Sequence, residues 1–249
     1  STLTTCRVGG PARYVIDVSS ELALVAVVET ARTSGLSFLV LGKGSNVLVS
    51  DAGFDGAVIR LGGELAAVDV DGEELTAGGG ASLRATALRA EEESLSGLEF
   101  LSGIPGTAGG AVATNAGAFG RSTASVLARV RTVGPDGARR SREGFEDGYR
   151  CSLVGPGEIV FAATFKLRRA DVATVKSLAR EFRSRREASQ PLREATAGSV
   201  FKNPPGEAAG RLLDRCGVKG LEVGGARVSH VHANFIVNDG EASAAERRF

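Results

Sequence analysis

A chain of 249 residues, 43% hydrophobic and 24% charged, has ordinary globular composition and room for one large or two modest domains. Its 30 basic and 29 acidic residues leave a net charge of +1, which gives no global pull toward nucleic acid or anionic lipid. The longest apolar run, Leu22 to Val28, is far short of the roughly 18 residues a spanning helix needs, so a soluble protein with a sizeable core is expected.

Taken in chain order, Tyr14 to Val18 reads as a strand. Residues 21–34 follow with Leu22, Val25 and Val28 at helical spacing behind the capping serines Ser19 and Ser20. Phe38 to Leu41 reads as a short buried strand running into Gly42-Lys43-Gly44-Ser45-Asn46. Val47 to Val49 and Ala57 to Leu61 read as further strands. Val68 to Leu75 predicts a hairpin turning at Asp71-Gly72, and a helix is expected from Ser82 to about Glu93. Gly97 to Gly120 is glycine-rich with little regular periodicity. Val126 to Val133, Pro135-Asp136-Gly137 and Ala138 onward predict a second hairpin, and Ile159 to Leu167 a strand. Val172, Val175, Leu178 and Phe182 mark a helix over 171–186 that Gln190-Pro191 ends. A shorter helix over Ala208 to Cys216 closes at Gly217, Gly224-Gly225 is a turn, and Phe235 to Val237 a last strand. Domain boundaries are expected near residues 61 and 168.

Three scattered cysteines (Cys6, Cys151 and Cys216) argue against a disulfide framework and a zinc ribbon, and favour the reduced cytoplasm. Cys151 is expected to be a small buried side chain. Glycine numbers 34, about twice the usual share, with only 7 prolines, so these glycines are not linker. The question is whether they hold phosphate. The Walker and Rossmann patterns and the G-x-S-x-G elbow are all absent. Even so, Gly42 to Asn46 can turn backbone N–H groups inward as an anion-binding nest. In Gly103-Ile104-Pro105-Gly106-Thr107-Ala108-Gly109-Gly110, continuing to Asn115-Ala116-Gly117, glycines let the backbone approach a ligand closely. Ordinary tight turns are the bland alternative; two such long loops favour a dinucleotide.

Those two loops, with Asn115-Ala116-Gly117-Ala118-Phe119-Gly120, resemble UDP-N-acetylenolpyruvoylglucosamine reductases. So do Thr4-Thr5 through Gly9-Gly10-Pro11-Ala12, Tyr149-Arg150-Cys151-Ser152, Gly198-Ser199-Val200-Phe201-Lys202-Asn203-Pro204 and His232-Ala233-Asn234-Phe235-Ile236-Val237-Asn238. The resemblance runs end to end. The short spacing between Tyr149-Arg150 and Gly198-Ser199 is similar to the branch that lacks an extra substrate-covering loop.

The resemblance implies an α+β fold: a two-part FAD-binding domain of the vanillyl-alcohol-oxidase type plus a C-terminal α/β substrate-binding domain. The segments would be 1–61, 62–168 and 169–249, the last truncated at its C-terminus. It implies an enzyme of peptidoglycan precursor synthesis, and a cytoplasmic monomer that binds no nucleic acid and does not insert into a membrane is expected. In that family hydride moves from NADPH through FAD to the terminal carbon of the enolpyruvyl group of UDP-N-acetylglucosamine enolpyruvate. An acid protonates the neighbouring carbon, giving UDP-N-acetylmuramate. By the same resemblance Gly42, Lys43, Gly44, Ser45 and Asn46 hold the FAD diphosphate. Gly103, Pro105, Gly106, Thr107, Gly109, Gly110, Asn115 and Gly117 line the other side of the flavin. Relatives of this fold often tether flavin through histidine, but no histidine precedes His230, so non-covalent FAD is expected, with the cysteines the remaining route to a tether.

Ser199 would be the proton donor, assisted by positive charge on Lys202. Arg150 would pin the enolpyruvyl carboxylate with its planar fork. Tyr149 would pack or support the flavin, and Lys202 and Asn203 would touch substrate. The family's third group is a glutamate about thirty residues beyond His-Ala-Asn-Phe. Glu241 and Glu246 come too early to match it, so either the natural ends lie outside this chain or this variant lacks the group. Arg180, Arg183, Arg185 and Arg186 form either a solvated face or a phosphate clamp. His230 and His232 would share a face of a strand, but no further ligand completes a metal site. Two other readings stay open: a flavin oxidase or dehydrogenase of the same fold with another substrate, and a non-catalytic FAD- or UDP-sugar-binding homologue.

Overall fold

Three strands and a helix open the chain: β1 (Ala12–Val18), α1 (Glu21–Thr33), β2 (Phe38–Val40) and β3 (Phe54–Leu61). The computed structural model describes residues 2–146, 148 and 151–248. Ser20 sits in extended conformation and its hydroxyl takes the Ala23 N–H, which starts α1. Leu24, Val28 and Ala31, one helical face, are buried. The strands form a three-stranded sheet ordered β1-β3-β2, with β2 and β3 parallel.

Next come β4 (Val68–Asp71), β5 (Glu74–Gly78), α2 (Leu83–Glu92), β6 (Leu95–Ser96), α3 (Ala108–Thr114), β7 (Gly117–Ala118) and β8 (Arg121–Ser122). Then follow β9 (Leu127–Val133), β10 (Arg139–Glu143), β11 (Ile159–Lys166), β12 (Arg168–Arg169) and α4 (Val172–Ser189). The central sheet is five-stranded, β10-β9-β11-β5-β4. β11 is buried over Ile159–Phe165 because neighbours pair along both edges and α3 packs on it. The chain ends with β13 (Ala195–Ser199), α5 (Ala209–Arg215), β14 (Glu222–Val223), β15 (Ala226–Val228) and β16 (Phe235–Asn238), the strands forming a sheet ordered β13-β16-β15-β14.

The predicted hairpins, both early helices and the strands at 57–61, 159–167 and 235–237 are present within a residue or three of their expected ends. Two readings are corrected. Val47–Val49 joins no ladder; its backbone is engaged irregularly, with the Val47 carbonyl taking the Cys6 thiol and a Cβ on Gly9 fitting only 2.7 Å from the Val49 carbonyl. The 97–120 stretch contains a helix, α3, which two glycines conceal. Thr107 caps it by accepting the Gly110 N–H, and Asn115 ends it in the left-handed region at φ 42°.

The chain divides into two compact units. One comprises Ser1–Arg13, Lys43–Asp55 and Arg185–Phe249; the other, Tyr14–Gly42 and Gly56–Ser184. The second holds both large cores, one around Leu75, Phe100, Phe165 and Leu167, the other around Leu24, Val28, Ile59 and Phe161. The first carries a small apolar cluster, Cys6, Val8 and Ala244, and is also tied by polar contacts. Asn238 donates to the Cys6 carbonyl and accepts from Gly240 and Ala242. The Asp51 carboxylate takes the N–H groups of Ala244 and Ala245, and Arg247 reaches the Ala195 and Ile236 carbonyls. No helix among the described residues is long and apolar enough to cross a membrane.

Candidate active site

The first glycine loop is held from behind by the segment near the start of the chain. Thr5 N–H donates to the Gly44 carbonyl at 3.0 Å, and the Thr5 hydroxyl lies between that carbonyl (3.2 Å) and the Thr196 carbonyl of β13 (2.6 Å). Gly44 is buried at φ +63°, where a Cβ would collide with the Leu3 carbonyl, so only glycine lets the loop seat here. The Ser45 carbonyl lies 3.7 Å from where a Cβ on Gly198 would stand, next to Ser199. Thus Gly44, Ser45 and Ser199, far apart in sequence, meet in one unit. Lys43 and Asn46 are exposed on the same loop.

The N–H groups of Gly42, Lys43, Gly44 and Asn46 donate no hydrogen bond among the described residues. Backbone donors that meet no acceptor among the described residues have the chemistry to hold an anion. Gly42 itself abuts Thr107: a Cβ there would stand 2.6 Å from the threonine hydroxyl.

The second loop is different. The Ala108 N–H goes to Ala81, Gly109 to Gly79 and Gly110 to the Thr107 hydroxyl, so the first turn of α3 is already satisfied by the protein. The N–H groups of Gly103 and Gly106 meet no acceptor among the described residues, and Pro105 is exposed. Asn115 is buried; its amide takes the Ala124 N–H and donates to the Gly148 carbonyl, both at 2.9 Å. Gly117 packs backbone to backbone on Arg121.

Ser199 closes β13, opposite Phe235, after a break in the ladder at Thr196 that Gly198 makes possible at φ +83°. Its half-buried hydroxyl makes no hydrogen bond among the described residues. Lys202 is exposed and joins no ion pair among them; Asn203 caps α5 by accepting the Ala209 N–H at 3.0 Å. Arg150 and Tyr149 lie outside the described residues. Their neighbours Gly148 and Cys151 are joined by a hydrogen bond from the Cys151 N–H, and Gly148, Cys151, Phe145 and Arg142 help line a cleft of about 390 Å³. Cys151 is exposed, not buried, because it follows that turn at the surface.

The arginines of the cluster sit in different environments. Arg180 is exposed and Arg183 pairs with Glu91 at 3.7 Å; Arg186 is half-buried, its Nε meets no hydrogen-bond partner among the described residues, and desolvation pushes its pKa down. His230 and His232 lie in a bend, against Gly220 and Gly210, instead of along one strand face. Burial, then Lys219, lowers the His232 pKa, and its Nδ1 accepts the Asn234 N–H. Glu246 caps a turn by accepting the Ser243 N–H, which lowers its pKa. Sequence reasoning missed two residues that hold the site, Thr5 and Asn234; each lies inside a recognised motif, which was the available signal.

Residues 12–141 match a family model described as an FAD binding domain, and 190–248 match the C-terminal domain of UDP-N-acetylenolpyruvoylglucosamine reductase. A reductase of that name, numbered 2, from Symbiobacterium thermophilum is 44% identical over 246 residues, 98% of this chain and 80% of the relative. The chain belongs to the UDP-N-acetylenolpyruvoylglucosamine reductase family. The Halalkalibacterium halodurans reductase is 39% identical, over 98% of this chain and 82% of its own length. The crystal structure of the Thermus caldophilus enzyme superposes with a TM-score of 0.88 at 40% identity, over 99% of this chain and 88% of that one. The expected fold is therefore met in its mixed helix-and-sheet content and in an FAD-binding domain joined to the reductase family's C-terminal domain.

Proposed function

We propose that this chain reduces the enolpyruvyl group of UDP-N-acetylglucosamine enolpyruvate to give UDP-N-acetylmuramate, a peptidoglycan precursor, with non-covalent FAD and with NADPH as reductant. The observation that carries the reading is the loop of open backbone donors packed, through Ser45, beside the strand that presents Ser199. Gly42, Lys43, Gly44 and Asn46 offer N–H groups with no acceptor among the described residues, a donor set that suits the cofactor diphosphate. Bound FAD supplies the hydride carrier that no side chain can provide.

The protein's own part is to position, polarise and protonate. Ser199, with its hydroxyl uncommitted, gives a proton to the carbon next to the reduced one. A serine is a weak acid, so the positive charge of Lys202 nearby in sequence supports the oxyanion left behind. Arg150 grips the substrate carboxylate, favouring the enolate-like charge that develops there. Asn203, whose side-chain oxygen accepts the Ala209 N–H at the start of α5, touches substrate from that position. Gly103, Pro105, Gly106 and Gly117 give the flavin ring a surface without bulky side chains. Segments 1–61 and 62–168 form the two parts of the FAD domain, and 169–249 binds the sugar nucleotide. We place the enzyme in the cytoplasm as a monomer, in keeping with the resemblance to the family.

Rapid-mixing experiments on the two half-reactions test this. Ser199→Ala should accept electrons from NADPH at the native rate and slow in reoxidation by the enolpyruvyl sugar by about 10²–10⁴-fold. Native reoxidation in this variant contradicts the proton-donor role.

A further inference from the structure

The segment carrying Ser199 is held at its far side by one buried side chain. The β13–β16 ladder ends at Ser199 opposite Phe235, and Val200 and Phe201 continue beyond it. Their side chains are 48% and 55% exposed, so apolar packing does not fix them. Asn234 does. Its carbonyl accepts the Val200 N–H at 3.0 Å, its Oδ1 accepts the Phe201 N–H at 2.8 Å, and its Nδ2 donates to the Phe201 carbonyl at 2.9 Å. One amide side chain thus satisfies both polar groups of Phe201, as a neighbouring strand would. Asn234 is 3% exposed, and its own N–H is anchored on His232 Nδ1 at 3.1 Å.

We propose that Asn234 is a positioning residue for the reaction, fixing the Ser199 hydroxyl through the Phe201 backbone without touching substrate. The proposal rests on Ser199 being the proton donor. A small displacement of a reacting group, on the order of 1 Å, costs about 10²-fold. Asn234 should therefore act on the proton-transfer half-reaction and leave cofactor reduction alone.

The test compares Asn234→Leu, Asn234→Asp, Ser199→Ala and the double variant Ser199→Ala/Asn234→Leu as FAD-loaded enzymes. Leucine removes both side-chain bonds; aspartate keeps the acceptor and loses the donor. The expected result is reoxidation by substrate slowed about 10–10²-fold in Asn234→Leu and less in Asn234→Asp. NADPH reduction should be native in both, and the double variant no slower than Ser199→Ala alone. Native reoxidation in Asn234→Leu overturns the proposal, as does equal loss in both half-reactions or multiplication of the two effects. If Asn234→Leu does not hold FAD, Asn234→Asp decides: slowed reoxidation alone supports the proposal, and any other pattern overturns it. Full activity in Ser199→Ala instead removes the proton-donor reading, and the proposal falls with it.

Discussion

His232 links protonation to the geometry around Ser199. Its Nδ1 accepts the Asn234 N–H, which assigns the ring proton to Nε2 and requires a neutral imidazole. Burial and Lys219 push its pKa below the ordinary value near 6.5, against a smaller raising influence of Asp214. The unfolded chain then binds the proton more readily than the folded one. The stability this group contributes is complete above about pH 6.5 and is lost as pH falls through the lowered folded value. Urea unfolding of the native chain and of His232→Gln at several pH values checks this: native stability relative to the variant should decline below about pH 6.5. A pH-independent difference contradicts it. Gly44 makes a second residue-scale prediction. Gly44→Ala places a Cβ against the Leu3 carbonyl at positive φ, so it should cost about 1–3 kcal/mol in denaturant unfolding and lower the bound flavin per chain. Unchanged stability and flavin content would refute that account of the loop.

At the scale of elements, α3 shows what the sequence conceals. Its Ala108-Gly109-Gly110 start is poor helix sequence, yet the close approach of Gly109 to the Gly79 backbone leaves no room for a larger residue. The element stands because Thr107 caps it and three first-turn N–H groups find acceptors. Thr107→Ala should therefore cost about 1 kcal/mol, up to about 2, in equilibrium unfolding; no loss would mean the cap is redundant. Strands with alternation and a turn signal, such as β4 with β5 and β9 with β10, were legible. The sheet β13-β16-β15-β14 was mostly not, because β14 has two residues and β15 three, and such short strands carry no period. The glycine loops and Ser199 were legible as motifs. Thr5 was not, since its partner Thr196 lies 191 residues away, nor was the Asn234 clamp on Phe201, 33 residues away, because long-range backbone contacts leave no spacing to read.

For the whole chain, the high glycine content follows from backbone packing as much as from ligand binding. Gly78, Gly79 and Gly80 each press directly on other backbone, where any Cβ would collide. The cores of the second unit provide its apolar stabilisation, while the first unit relies on side-chain-to-backbone ties such as Asn238 with Cys6 and Asp51 with Ala244. Polar ties of this kind hold geometry better than they add stability, about 1 kcal/mol each, which suits a unit that presents Ser199 and the open donors of Lys43 and Gly44. The most direct test of the central claim is the visible spectrum of the purified chain, recorded anaerobically as NADPH and then UDP-N-acetylglucosamine enolpyruvate are added. A flavin band that bleaches with NADPH and returns in proportion to the added sugar nucleotide is the predicted result. A chain without a flavin band after reconstitution with FAD, or a reduced band that the sugar nucleotide does not restore, would contradict it.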